Sequence, residues 1–144
     1  MKELVQRLFS GTEYLSHKLE GDELVLELES VQEESSCPYC NLSSDKVHSR
    51  YQRKFSDLPI KGYPTTVILH CRKFFCRNQE CKHQTFTESF DFIEPLESKT
   101  ERLIFEILRI SENNSSRKAS AILADMGIKT SRATICNLKN KKIS

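Results

Sequence analysis

The sequence predicts an α+β fold in three successive parts: an N-terminal β-hairpin, a β-ribbon carrying four cysteines, and a C-terminal unit of three helices. Three observations predict it. Several segments between Tyr14 and Phe75 alternate apolar and polar side chains, the period of two that strands impose. Two closely spaced cysteine pairs bracket the longest of these segments. From Ser98 onward the apolar residues recur instead at helical spacing. The corresponding boundaries are residues 1–36, 37–93 and 94–144.

Residues 2–9 read as a short helix with Leu4, Val5 and Leu8 on one side. Tyr14 to Leu19 and Leu24 to Leu28 alternate, with Gly21-Asp22 between them as a turn signal, so they read as a hairpin with one buried face. Leu24, Leu26 and Leu28 point one way, and Glu23, Glu27 and Glu29 the other. Glu33 to Ser36 is a polar linker. Residues 47–55 and 64–75 read as two longer strands, the second rich in β-formers (Thr65, Thr66, Val67, Ile68, Leu69). Pro59, Gly62 and Pro64 break the path between them. Ser98 and Glu101 fit a capping box ahead of a helix with an apolar stripe of Leu103, Ile104, Ile107, Leu108 and Ile110, which Asn113-Asn114 ends. A second helix from about Ser116 to Met126 buries Ala119, Ile122 and Leu123, and Gly127 stops it. Ser131 caps a third helix, through about Asn140, that buries Ile135 and Leu138 and carries a semi-buried Cys136.

Composition narrows the class. The chain of 144 residues is 38% apolar and 29% charged, enough for a core in an ordinary soluble protein. No apolar run reaches the roughly 18 residues a membrane span requires, and the N-terminus shows no secretory signal, so the expected location is the cytoplasm, with no membrane partner. Charge is unevenly spread. Residues 1–36 hold three basic against nine acidic side chains, whereas residues 115–144 hold seven basic against Asp125 alone. A basic C-terminal end points to a polyanion partner; its bland counterpart is a solvated face with a frayed lysine tail.

Six cysteines in a reducing compartment argue against disulfides, and their spacing argues for metal. Cys37 and Cys40 are separated by two residues, Cys76 and Cys81 by four. Structural zinc takes four ligands in a tetrahedron, commonly thiolates, and two short loops returned to each other by a ribbon supply them. The expected cofactor is one structural Zn²⁺ held by Cys37, Cys40, Cys76 and Cys81. A closed four-thiolate shell leaves no position for catalytic water. His48 and His83 are substitute ligands; His83, two residues beyond Cys81, is poorly spaced for the same ion. His70, Cys71 and Cys136 fall outside the pattern.

These residues carry a resemblance. Cys37-Pro38-Tyr39-Cys40, Asp57-Leu58-Pro59, Gly62, Val67-Ile68-Leu69, Arg72 to Cys76, Asn78, Cys81 and Thr85-Phe86-Thr87-Glu88 together resemble the N-terminal zinc domain of ISL-three-type insertion-sequence transposases. Gly127 to Ile135 resembles the helix-turn-helix that follows in those proteins. The resemblance spans about residues 10–140 and implies binding of double-stranded DNA at transposon terminal repeats during transposition. The family's catalytic domain is much longer and uses three acidic residues to hold two magnesium ions. This sequence ends at Ser144, so the chain is expected to lack that domain and not to be an enzyme by itself, whether as a truncated copy, a separately encoded binding part or an excised fragment.

In a helix-turn-helix the second helix enters the major groove with its N-terminal residues near base edges. That places Ser131, Arg132, Thr134 and Asn137 at the bases, with Arg132 suited to guanine and Asn137 to adenine. Arg117 and Lys118 would meet phosphates near a helix N-terminus, and Lys139, Lys141 and Lys142 would add backbone contacts. Arg50, Arg53, Lys54, Arg72, Lys73 and Arg77 on the ribbon either touch phosphates or simply solvate it. The alternative is a zinc-stabilised protein-interaction or assembly module, or a regulator of a full-length transposase. The protein partners it brings in are a second copy of the chain or that transposase.

Overall fold

The computed structural model describes residues 2–143, with backbone only for 142 and 143. Helix α1 (Lys2–Leu8) leads into β1 (Thr12–Glu20) and β2 (Glu23–Ser30), which pair antiparallel across Gly21-Asp22. A short pair, β3 (Ser35–Ser36) and β4 (Ser43–Ser44), frames the first cysteine loop. Two long strands follow, β5 (Val47–Ile60) and β6 (Tyr63–Phe75), then β7 (Thr85–Thr87). The chain ends in α2 (Glu101–Ser111), α3 (Ser116–Asp125) and α4 (Arg132–Ile143). Among the described residues no helix is long and apolar enough to cross a membrane.

The main sheet runs β1-β2-β6-β5, with β7 added to the far end of β6. Strand β6 is its axis. It pairs antiparallel with β5 along its length and parallel with β2, from Leu24↔Thr65 to Glu29↔His70. Residues 1–36 and the ribbon therefore share one sheet and one core. That core holds Val5 and Phe9, Leu26 and Leu28 of β2, Phe55 of β5, Val67, Leu69 and Cys71 of β6, and Phe90, Phe92 and Ile93 from the segment after β7. Strand β1 is an edge strand, exposed from Leu15 onward.

Local details differ from the sequence reading. The inward residues are Val5 on α1 and Phe9 just after it; Leu4 and Leu8 are exposed. Strand β5 runs through Pro59 to Ile60, where the register with β6 shifts between Asp57 and Ile60. A proline is tolerated at such an irregularity because no ladder amide is needed there. The reversal takes only Lys61-Gly62, both at positive φ (50° and 82°), the conformation of a tight hairpin turn with the twist of its strands. The cap of α2 is Thr100 rather than Ser98: the Thr100 hydroxyl accepts from the Leu103 N–H at 3.3 Å. Ser98 cannot serve, because its carbonyl is taken by the Ser56 N–H in a bridge that holds residues 98–100 extended beside β5. Cys136 is exposed rather than semi-buried.

The three C-terminal helices enclose a second core of Leu103, Ile107, Ala119, Leu123, Ile128, Ile135 and Leu138. Helix α3 starts on a Ser115 cap and stops at Gly127 (φ 89°). There the Ile128 N–H bonds the Leu123 carbonyl and the Gly127 N–H bonds the Ala124 carbonyl, the paired bonds of a Schellman termination, and Ile128 and Leu123 share the core.

Candidate metal centre and nucleic-acid interface

The first cysteine loop is a tight knuckle. Its ends are tied by the Cys37 N–H to the Leu42 carbonyl (3.0 Å) and the Asn41 N–H to the Cys37 carbonyl (2.7 Å), with Asn41 at φ 65°. The second loop leaves β6 at Cys76, whose N–H bonds the Gln84 carbonyl (2.8 Å), while the Cys81 N–H bonds the Asn78 carbonyl (3.0 Å). The pairing of β5 with β6 brings the loops together. The sulfurs of Cys37, Cys40, Cys76 and Cys81 all lie within 4.8 Å of one another, Cys37 to Cys81 at 4.0 Å and Cys40 to Cys76 at 3.6 Å. Zn–S bonds of about 2.3 Å in a tetrahedron set sulfurs about 3.8 Å apart, whereas a disulfide requires about 2.05 Å. The donor set and spacing fit zinc.

The electrostatics agree. The Cys40 thiol is pulled down to about 7, chiefly by the Leu42 backbone amide. At Cys76 the Asn78 amide pulls the same way, but burial and the neighbouring Cys40, Cys37 and Cys81 sulfurs outweigh it and push this thiol up to about 12. Four thiolates this close repel unless a cation joins them, and a divalent ion supplies that charge. Phe74 and Phe86 back the cluster, their rings 5.9 Å apart, forming a third small core with Cys37.

Neither substitute histidine is turned to the sulfurs. His83 lies flat on the Tyr39 ring, centroids 3.4 Å apart and planes 8° off parallel. His48 bonds the Ser49 hydroxyl (2.9 Å) and meets the edge of Phe75.

Two buried carboxylates join the parts. Glu88 is 2% exposed and accepts from Ser30 Oγ (2.5 Å), Gln32 Nε2 (2.8 Å) and the Arg72 backbone N–H (2.7 Å), with Arg72 Nε at 3.3 Å. The Arg72 guanidinium also donates to the Gln32 carbonyl and is spent inside the molecule, not on phosphate. Asp57 accepts from Thr100 Oγ1 (2.7 Å) and from Arg102 Nε and an Arg102 terminal nitrogen (2.8 and 2.7 Å). Arg102 in turn donates to the Leu8 carbonyl and stacks over Phe9. Neither acid's role is legible in the sequence, because an acid three or more residues from any complementary charge carries no local sign of its partner.

The basic candidates on the helices take different places. Arg117 and Lys118, in the first turn of α3, are exposed, as are Arg132 and Asn137 on α4. Ser131 Oγ accepts from the Thr134 N–H (3.1 Å), which caps α4, and bonds Thr134 Oγ1 (2.9 Å). Lys139 donates to the Asn114 carbonyl (3.5 Å) and Lys141 lies 3.9 Å from Glu97. The Lys142 side chain lies outside the described residues. On the ribbon, Arg53 donates to the Glu94 and Glu97 carbonyls and Arg77 pairs with Asp45 at 2.7 Å.

Residues 33–81 match the family described as the zinc-finger of transposase IS204/IS1001/IS1096/IS1165. No curated protein and no solved structure matches the chain. The match takes in all four clustered cysteines, so the cluster is a structural zinc site within a segment similar to that zinc finger.

Proposed function

We propose that this chain is a zinc-dependent DNA-binding module of a transposase, reading terminal repeats in duplex DNA through α4. What carries the reading is the first half of α4: Arg132 and Asn137 stand exposed while Ile135 and Leu138 are buried against α2 and α3. A helix anchored by one apolar stripe, with Arg and Asn on its free side and a hydrogen-bonded stop before it, has the form of a recognition helix. The excess of basic charge over residues 115–144 supports phosphate attraction, and the similarity to a transposase zinc finger supports the class of partner. Arg117 and Lys118 serve phosphates; Arg132 and Asn137 serve base edges.

The test is a fluorescence-anisotropy titration of zinc-loaded protein against duplexes from the flanks of its own gene and shuffled controls, at several salt concentrations. Flank binding stronger than control, falling steeply with salt, is the expected result. Arg132→Ala costs about 1–3 kcal/mol on the preferred duplex and relaxes preference, while Arg117→Ala weakens all duplexes alike. Equal losses on every sequence for both variants refute the assigned roles.

The assembly alternative draws on one observation: Phe105, on the outer side of α2, is 68% exposed. A concentration-dependent dimer in sedimentation, abolished by Phe105→Ser and accompanied by no duplex affinity, would favour it.

A further inference from the structure

The zinc end carries a feature that neither the metal nor the helices use. Tyr39 belongs to the first knuckle and His83 lies beyond the second, and their rings form a flat two-ring slab. One face of Tyr39 is covered by His83, yet the residue is 59% exposed, so the other ring face is open to solvent. Burial of an aromatic ring is favourable, and nothing local requires this one to remain outside. Zinc ligation at Cys37, Cys40 and Cys81 fixes both backbones, so the slab is held rigidly and a third ring stacking on it would lose little side-chain freedom.

Two lysines belong to this end of the molecule. Lys82 is exposed beside His83, and Lys46 lies over the Phe75 ring at 5.3 Å, with the His48 ring edge-on to the same Phe75. Gln84 is bonded to Cys76, which places the His83 strand alongside Phe75 at this end. The acids nearby are Asp45, already paired with Arg77, and Glu80. An open aromatic plane with lysines at the same end of the molecule matches an unpaired nucleobase with its phosphates, since every base offers a π-face and the backbone supplies the charge.

We propose that the zinc end is a binding site for single-stranded nucleic acid, in which an unpaired base stacks on the open face of Tyr39 and the flanking phosphates meet Lys46 and Lys82. The site is separate from α4 and does not rest on the duplex-reading role. It takes a strand with little regard to sequence, because stacking needs no base-edge contact.

The test uses the zinc-loaded full chain with fluorescein-labelled oligothymidylate and oligodeoxyadenylate twelve-mers, and with a duplex. Tyr39→Ala is expected to weaken single-strand binding by roughly fivefold to 150-fold, the range for one stacked base, with duplex affinity and zinc content unchanged. Tyr39→Phe keeps the ring and stays within about twofold of the parent. The chain has no Trp, so tyrosine emission is directly readable, and it is expected to fall as the strand binds. If Tyr39→Ala loses zinc, Lys82→Glu decides: several-fold weaker single-strand binding with a shallower salt slope supports the site, and unchanged binding overturns it. Absence of single-strand binding by the parent at low salt, or equal binding by parent and zinc-loaded Tyr39→Ala, overturns the proposal. Arg132→Ala bears only on the duplex, so failure of one role is distinguishable from failure of the other.

Discussion

Cys76 follows the last residue of β6, donates its N–H to the Gln84 carbonyl and holds its sulfur 3.6 Å from that of Cys40. Replacing one ligand of four leaves three thiols and no closed shell, and structural zinc contributes on the order of 10 kcal/mol to such folds. Cys76→Ser is expected to hold well under one zinc per chain by elemental analysis and to lose amide protection over residues 37–46 and 74–86. Full metal content with an unchanged melting temperature would refute the ligand set. Cysteines outside the cluster should divide by exposure. Cys136 is exposed; Cys71 is 1% exposed, and burial pushes its thiol up to about 12. Thiolate is the reactive form, so a disulfide reagent added to zinc-loaded protein is expected to modify Cys136 fast and Cys71 only on global unfolding. Rapid labelling of Cys71 would contradict its placement in the core. At Asp57 an amide keeps one acceptor oxygen for the Thr100 hydroxyl but removes the charge that answers Arg102 and turns an NH2 toward its guanidinium. Arg102 keeps 29% of its side chain exposed, which discounts the figure for a fully buried pair. Asp57→Asn is therefore expected to destabilise by about 2–3 kcal/mol in urea titration, felt by both the sheet and α2.

Glycine 127 is an element-scale case with two demands on one atom. Its φ of 89° ends α3, and a Cβ there would sit 2.4 Å from the Gly62 carbonyl oxygen, where the turn after β5 packs against the end of α3. Gly127→Ala is expected to destabilise by about 2 kcal/mol or more, and Gly127→Asn to be little better, since asparagine relieves the dihedral but not the clash. Gly62→Ala meets nothing within 4 Å and carries only the dihedral cost at φ 82°, about 1 kcal/mol. Equal losses at both glycines would argue against the contact. The contrast also shows what a sequence reveals. A glycine after an apolar helical run announces a stop, because that conformation is a local property. The carbonyl it faces lies more than sixty positions earlier, and no local pattern points there. Strands β5 and β6 were readable for the same local reason, as were α3 and α4. Thr100 as the cap of α2 was not, since the claim on Ser98 comes from Ser56 across a bridge. The four cysteines were legible because metal chelation imposes its own short spacings; the slab of Tyr39 and His83 was not, because only the closed loops bring those rings together.

Among the described residues three cores stand in sequence along the ribbon: the helical core at its turn, the sheet core at its middle and the zinc end at its start. Only the last contains metal ligands. A strong chelator is therefore expected to release zinc and loosen residues 37–46 and 74–86 while the helical core persists, so that helical circular dichroism outlasts amide protection at Phe74 and Phe86. Simultaneous loss of both signals would mean that the three cores unfold as one.

The parallel contact of β2 with β6 has a consequence for synthesis in the cell. Leu24, Leu26 and Leu28 are made early, but their partners from Thr65 to Leu69 come only after residues 31–62 have been added, the first cysteine pair among them. Until then the emerging chain displays a leucine-lined β2 paired on one side with β1 and open on the side that β6 will take. The remaining ligands, Cys76 and Cys81, follow soon after β6 leaves the ribosome. Closing the leucine strand and capturing the ion are thus nearly simultaneous events, and a zinc-starved cell would prolong the interval in which a chaperone, a protease or another nascent chain can reach that strand first.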